Sequence, residues 1–148
     1  MDQLKFGIAG YGKMGKIREK SIFSSPDAVL ISVFDNTNHE YKKNGGIISC
    51  DSFDALLNSD IDVVVVSAYA SVAAEYVIRA LNAGKHVFCE KPPALNANEM
   101  LEVIDVEKNS KKVLKYGFNH RFHYSVMEAK KIINKGVLGK LLWMRGIY

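Results

Sequence analysis

Leu4-Lys5-Phe6-Gly7-Ile8-Ala9-Gly10-Tyr11-Gly12-Lys13-Met14-Gly15 joins a short apolar run to three glycines spaced G-x-G-x-x-G. The run from Leu4 to Ala9 reads as a buried strand and the residues from Lys13 to Phe23 favour helix, so the glycines occupy a strand-to-helix turn. Pro26 and Asp27 end that helix, and Ala28 to Phe34 supplies a second β-rich run closed by Asp35. A glycine triplet alone means little, because glycine is common. Followed by a helix, a strand and an acidic strand end about 20 residues further on, it makes a dinucleotide-binding fingerprint. Gly10 permits the tight turn, Gly12 removes a side chain from the path of a pyrophosphate, and Gly15 lets helix and strand approach closely. The helix N-terminus offers free N–H groups and a favourable dipole to the phosphates, with Tyr11, Lys13 and Met14 as further cofactor contacts in the turn. Asp35 accepts hydrogen bonds from both ribose hydroxyls and repels a 2′-phosphate, so NAD is the expected cofactor and NADP the disfavoured one.

The same alternation continues along the chain. Ile47-Ile48 is a candidate short strand, and Phe53, Leu56 and Leu57 form a short helix face whose start Asp51 or Ser52 can cap. Ile61 to Val66 ends in four consecutive valines without polar alternation, as expected of a central strand covered on both faces. Ser71 to Ala83 sets Val72, Tyr76, Val77, Ala80 and Leu81 at helical spacing, with Gly84 at the left-handed cap position. His86 to Cys89 is a strand, Asn96 and Glu99 form a capping pair for a helix reaching about Asn109, and Val113 to Tyr116 is another strand. Ser125 and Glu128 repeat the capping pattern before a helix with Val126, Ala129, Ile132 and Ile133 on one face and Gly136 as its stop. Leu141 to Tyr148 reads as a final strand.

Strands alternating with helices predict a doubly wound parallel α/β sheet, the Rossmann fold, with ligands at the carboxyl ends of the strands. Those ends are Ala9-Gly10, Phe34-Asp35, Val66-Ser67, Cys89-Glu90 and Tyr116-Gly117. Composition agrees with a packed globular domain: 148 residues, 48% apolar and 24% charged. The longest apolar run is far short of the roughly 20 residues of a spanning helix, and Met1 to Lys5 does not begin a signal peptide, so a cytoplasmic protein without membrane association is expected. In that reducing setting Cys50 and Cys89 are not expected to pair, and Cys89 reads as a small core residue. The net charge of +4 comes from scattered pairs, Lys42-Lys43, Lys111-Lys112 and Lys130-Lys131, and not from a basic stripe, which argues against a nucleic-acid partner. No metal-ligand spacing is present, and no metal is expected.

Glu90-Lys91-Pro92-Pro93 leaves a buried strand at the ligand edge of the sheet. Proline fixes the exit direction, either X-Pro bond has access to the cis form, and a lysine held there can orient a substrate hydroxyl and relay its proton.

Taken in order, Gly10 to Gly15, Gly84-Lys85-His86-Val87-Phe88-Cys89-Glu90-Lys91-Pro92 and Gly117-Phe118-Asn119-His120-Arg121-Phe122 resemble the glucose-fructose oxidoreductase / inositol dehydrogenase / rhizopine-catabolism family (Gfo/Idh/MocA) over essentially the whole chain. The resemblance implies an NAD(P)-dependent oxidoreductase acting on a sugar, cyclitol or nucleotide sugar, with Lys91 as catalytic lysine and Glu90 at the cofactor edge. Asn119 and Arg121 fall where members begin to shape the substrate side; His120 and His123 are open between substrate contact and surface. Members commonly carry Thr-Pro-Asn and a nearby His after the central strand, near the nicotinamide. Here those positions hold Ala68-Tyr69-Ala70 and Ala73, leaving Ser67, Ala68 and Tyr69 backbone or altered side-chain contacts. The resemblance also implies a second α/β domain that supplies a proton-transfer histidine and an oligomer interface. Residues 1–120 are therefore expected to be the cofactor domain and 121–148 the truncated start of the second, in a protein that is a homo-oligomer when full length. On this reading the chain alone is inactive. The competing expectation is a non-catalytic dinucleotide sensor on the same fold.

Overall fold

The computed structural model describes residues 3–37 and 46–146, and these divide between two compact units, Met1–Gly117 and Phe118–Tyr148. The Lys42-Lys43 pair lies outside the described residues.

In the first unit, β1 (Leu4–Ala9), α1 (Lys13–Phe23) and β2 (Ala28–Phe34) form the first strand-helix-strand step of a six-stranded sheet. β3 (Ile48–Cys50), α2 (Phe53–Leu57), β4 (Val63–Val66), α3 (Ala70–Asn82), β5 (His86–Cys89), α4 (Ala97–Ser110) and β6 (Leu114–Tyr116) complete it. The strand order is β3-β2-β1-β4-β5-β6 and every pairing is parallel. The chain thus winds outward in both directions from a reversal between β1 and β4, the position at which ligands bind in such sheets.

The period-two geometry of the strands sorts the core into two layers. Ala9, Phe34, Val64 and Val66 face a cluster with Phe53, Leu56, Val77, Ala80, Leu81 and Val103 from α2, α3 and α4. Their neighbours Ile8, Val33 and Val65 point to the other face, with Tyr11, Ile22, Leu30 and Ile47. β4 is four consecutive buried valines because it serves both layers at once.

The capping expectations resolve into particular side chains. Ser52, and not Asp51, caps α2 by accepting from the Ala55 N–H at 3.0 Å. Asn96 accepts from the Glu99 N–H at 3.1 Å while Glu99 Oε2 reaches back to the Leu95 N–H at 2.9 Å. Gly84 follows α3 at φ 73°. The strand expected at Ile47-Ile48 is shifted: Ile47 is buried beside Leu30 and Val33, and pairing begins only at Ile48.

Two expectations in the second unit are corrected. Its α5 (Tyr124–Asn134) follows a 3-10 turn over Asn119–Phe122, and its N-cap is His123 without a side-chain cap, so Ser125 lies inside the helix. Glu128 bonds Lys131 Nζ at 3.1 Å in place of a backbone N–H. Gly136, at φ 69°, does end this helix segment. Residues 141–146 form no strand, because a strand exists only where a neighbouring backbone takes its N–H and C=O groups, and none of the described residues does so. Positions 147–148 of that expected strand lie outside the described residues. No described residue from 118 to 146 is buried.

Candidate functional site

Gly10 leaves β1 at φ 90°, and a Cβ built there would come within 2.6 Å of the Ser67 carbonyl and the Ala68 nitrogen. A Cβ at Gly15 would lie 2.3 Å from the Gly10 oxygen. Both positions are therefore closed to any side chain by the backbone itself. Gly12 differs: a Cβ there would meet nothing within 4 Å. It is the N-cap of α1, whose first turn has no side-chain cap and no acidic residue, so the free N–H groups of that turn open onto unobstructed space.

The neighbouring strand ends hold this turn from both sides. Ser67, at the end of β4, donates its hydroxyl to the Gly10 carbonyl at 2.5 Å. Asp35, at the end of β2, accepts the Tyr11 N–H at 2.5 Å through Oδ2, and both the Thr37 N–H and Thr37 hydroxyl at 2.9 Å through Oδ1. The Tyr11 side chain contributes to the core instead of the cavity, being 6% exposed among Ile8, Ile22 and Val33.

Above the turn lies a cavity of 460 Å³. Gly10, Gly12, Lys13 and Met14 of the glycine turn line it, as do Ser67, Ala68 and Tyr69 after β4. Phe34, Asp35, Asn36 and Thr37 at the end of β2, with Ser71, Val72 and Tyr76 of α3, complete its lining. Tyr76 is fixed by a stack on Phe53 at 4.1 Å between ring centroids, with the Arg79 guanidinium 5.0 Å from the other ring's centre. Burial raises the Tyr76 phenol above its ordinary pKa, with the Glu75 carboxylate adding, Arg79 opposing and Asp35 adding, so the ring presents a neutral hydroxyl. Asn36, Thr37, Ser71, Val72 and Tyr76 are the lining residues that sequence reasoning missed. Val72 and Tyr76 were visible only as part of an apolar helix face, and that face serves both core and cavity.

Glu90 and Lys91 stand apart from this cavity's lining. The Glu90 carboxylate is buried and accepts from Arg18 Nε at 2.6 Å, with Arg18 Nη2 as a second partner. The Arg18 guanidinium covers the Phe88 ring at 4.8 Å. Lys91 follows on the exposed loop at the end of β5, and its bond to Pro92 is cis. Cys89 is 1% exposed and, like Cys50, a free thiol, as the core reading expects. Ala73 is 2% exposed in the core, so no side chain there reaches a ligand. Asn119 and Arg121 belong to the second unit, exposed on its 3-10 turn, where the His120 and His123 rings stack at 4.6 Å.

These residues fit a dinucleotide. The open space over Gly12 and the uncapped turn of α1 accept a pyrophosphate, Lys13 adds positive charge beside it, and the Asp35 carboxylate lies where a ribose diol is read. Among the described residues, no three His, Cys, Asp or Glu side chains come together as metal ligands, and no helix is long and apolar enough to cross a membrane.

Comparison with known proteins agrees with this geometry. The inositol 2-dehydrogenase of Rhizobium meliloti (strain 1021) is 33% identical over 141 residues, covering 93% of this chain and 43% of that protein. The myo-inositol 2-dehydrogenase of Thermotoga maritima is 30% identical, over 93% of this chain and 42% of its own length. Among solved structures, scyllo-inositol dehydrogenase from Lactobacillus casei with bound NAD(H) and scyllo-inositol superposes with a TM-score of 0.85 at 30% identity, over 94% of this chain and 43% of that one. The chain thus spans less than half the length of these relatives. Residues 4–118 match the family described as oxidoreductase family, NAD-binding Rossmann fold (GFO_IDH_MocA), and the chain belongs to that family, carrying its NAD-binding domain.

Proposed function

We propose that this chain is the cofactor-binding part of an NAD-dependent dehydrogenase that acts on a cyclitol or a related sugar. The observation that carries this reading is the pairing, in one cavity, of Asp35 with the open space over Gly12. Inositol dehydrogenases among the relatives support the cyclitol class over a nucleotide sugar. When bound, the nicotinamide ring accepts or donates a hydride. The protein's part is to hold the dinucleotide across the β1/β4 reversal and to place substrate beside it. Lys91, leaving β5 at the ligand edge, binds the reacting oxygen and carries its proton, anchored from behind by the Glu90–Arg18 pair. Asn119 and Arg121 contribute to the substrate side. Residues 121–148 begin the substrate and assembly domain of a homo-oligomer.

The test uses the longer protein containing this chain. It is expected to oxidise myo- or scyllo-inositol with NAD, and Lys91→Ala is expected to lower kcat at least 100-fold with NADH affinity little changed. An unchanged kcat removes the role given to Lys91. Tight NADH binding without turnover of any polyol or sugar favours the second reading, a dinucleotide sensor, for which the Ala68, Tyr69 and Ala73 substitutions speak.

A further inference from the structure

Tyr69 is 79% exposed, and the only other large exposed aromatic described in the first unit is Phe23, at the far end of α1. A tyrosine ring exposes a large apolar surface, and leaving it in water at a cavity mouth gains the fold nothing. Its place is set by firm structure. Ser67, two residues earlier, is bonded to the glycine turn, and the Tyr69 carbonyl accepts the Val72 and Ala73 N–H groups as the N-cap of α3. None of the described aromatic rings stacks on it.

Position gives the ring its role. Val72 and Tyr76 stand four residues apart on one face of α3, Tyr69 is the extended N-cap just before that helix, and all three line the cavity. Asp35, Asn36 and Thr37 line the same cavity. Tyr76 is locked by the Phe53 stack and Val72 is half-buried, which leaves Tyr69 as the exposed large side chain of the three, able to close onto a flat ligand group. Tyr69 shares this cavity with Asp35, and with Asp35 reading the adenosine ribose the flat group beside that ribose is the purine, a placement that departs from the nicotinamide contact the family commonly makes after this strand.

We infer that Tyr69 is a base-stacking residue, its ring covering the adenine of the bound dinucleotide against the Val72–Tyr76 face of α3. The inference rests on the cofactor reading above and adds a side chain and a half of the ligand to it. Stacking depends on the ring and not on the hydroxyl, so phenylalanine serves and alanine does not.

The experiment titrates ADP and NADH into the 148-residue chain and into its Tyr69→Ala and Tyr69→Phe variants, by calorimetry and cofactor fluorescence. Tyr69→Ala is expected to weaken both ligands about tenfold, within the range of alanine substitutions at base-stacking aromatics, and Tyr69→Phe to stay within about threefold of the parent. Unchanged ADP affinity in Tyr69→Ala overturns the inference; if NADH alone weakens, the ring serves the nicotinamide half. A phenylalanine variant as weak as the alanine variant also overturns it, since the hydroxyl is then the contact. Parent protein that binds neither ADP nor NADH overturns the cofactor reading itself, a result separable from the others.

Discussion

Arg18 Nε donates to Glu90 Oε1 at 2.6 Å, tying α1, the helix that follows the glycine turn, to the strand end that carries Lys91. The bond joins residues 72 positions apart, with side chains only 18% and 9% exposed. On its other side Glu90 abuts Gly117, where a Cβ would come within 2.9 Å of Oε2. Removing the cation leaves a nearly buried carboxylate without its partner, so Arg18→Ala is expected to lower unfolding free energy by about 3 kcal/mol. Glu90→Gln keeps an acceptor of the same shape and should lose about 1 kcal/mol. Urea denaturation measures both, and an Arg18→Ala loss below about 0.5 kcal/mol would mark the pair as no stronger than a solvated one.

The glycine turn separates structural from ligand-binding roles within six residues. Gly10→Ala forces a side chain into a left-handed position and against the Ser67 carbonyl, and is expected to destabilise by about 3 kcal/mol. Gly12→Ala meets no atom, so stability should hold within about 1 kcal/mol while the methyl group intrudes where the pyrophosphate would lie. NADH titration is expected to show at least tenfold weaker binding for Gly12→Ala at an unchanged thermal midpoint. Intact binding would show that the phosphates do not pass over Gly12.

Asp35 both braces the turn, through the Tyr11 N–H, and stands in the cavity. The parent chain is expected to bind NADH more tightly than NADPH, because a carboxylate repels a 2′-phosphate. In Asp35→Asn the charge is gone and the preference should shrink about tenfold, accompanied by a stability loss of about 1 kcal/mol from the weakened brace. Fluorescence titrations with both cofactors at one ionic strength measure it. Equal affinities in the parent remove the discriminating role of Asp35.

Much of this site is legible in sequence because the steric demands are local. Gly10 and Gly15 have no room for a side chain, and the distance from Gly15 to Asp35 is set by one helix and one strand. The four valines of β4 announce a central strand for the same reason: only a strand with two covered faces buries every residue. What could not be read depends on long-range partners. Nothing near Glu90 in the chain points to Arg18, and the apolar spacing of Val72 and Tyr76 is equally that of a core helix. Leu141 onward looks like a strand because its residues favour one, yet without a neighbouring ladder the preference produces no strand in residues 141–146. Ser125 has the composition of a cap but not its position, since the 3-10 turn before α5 makes His123 the last extended residue.

Alkaline pH should expose how tightly the end of β5 is packed. Burial, with the Glu90 carboxylate adding, pushes the Cys89 thiol from its ordinary 9.0 up to about 12. Between those values the folded chain keeps a proton that the unfolded chain has lost, so stability is full below about pH 9 and falls as pH rises towards 12. The slope for such a group approaches about 1.4 kcal/mol per pH unit. Burial raises the Tyr116 phenol from 10.0 in the same direction, so Cys89 dominates the first part of the fall. Cys89→Ala isolates it: the variant is expected to start about 1 kcal/mol less stable at pH 8 from the lost packing, and the gap to the parent should close by roughly 1 kcal/mol by pH 10 as the parent alone loses the thiol's contribution. Urea midpoints at pH 8, 9 and 10 measure the gap. A difference that stays constant across this range would show that Cys89 ionises in the fold as readily as in the unfolded chain, and that water reaches the strand end on which Glu90 and Lys91 are mounted.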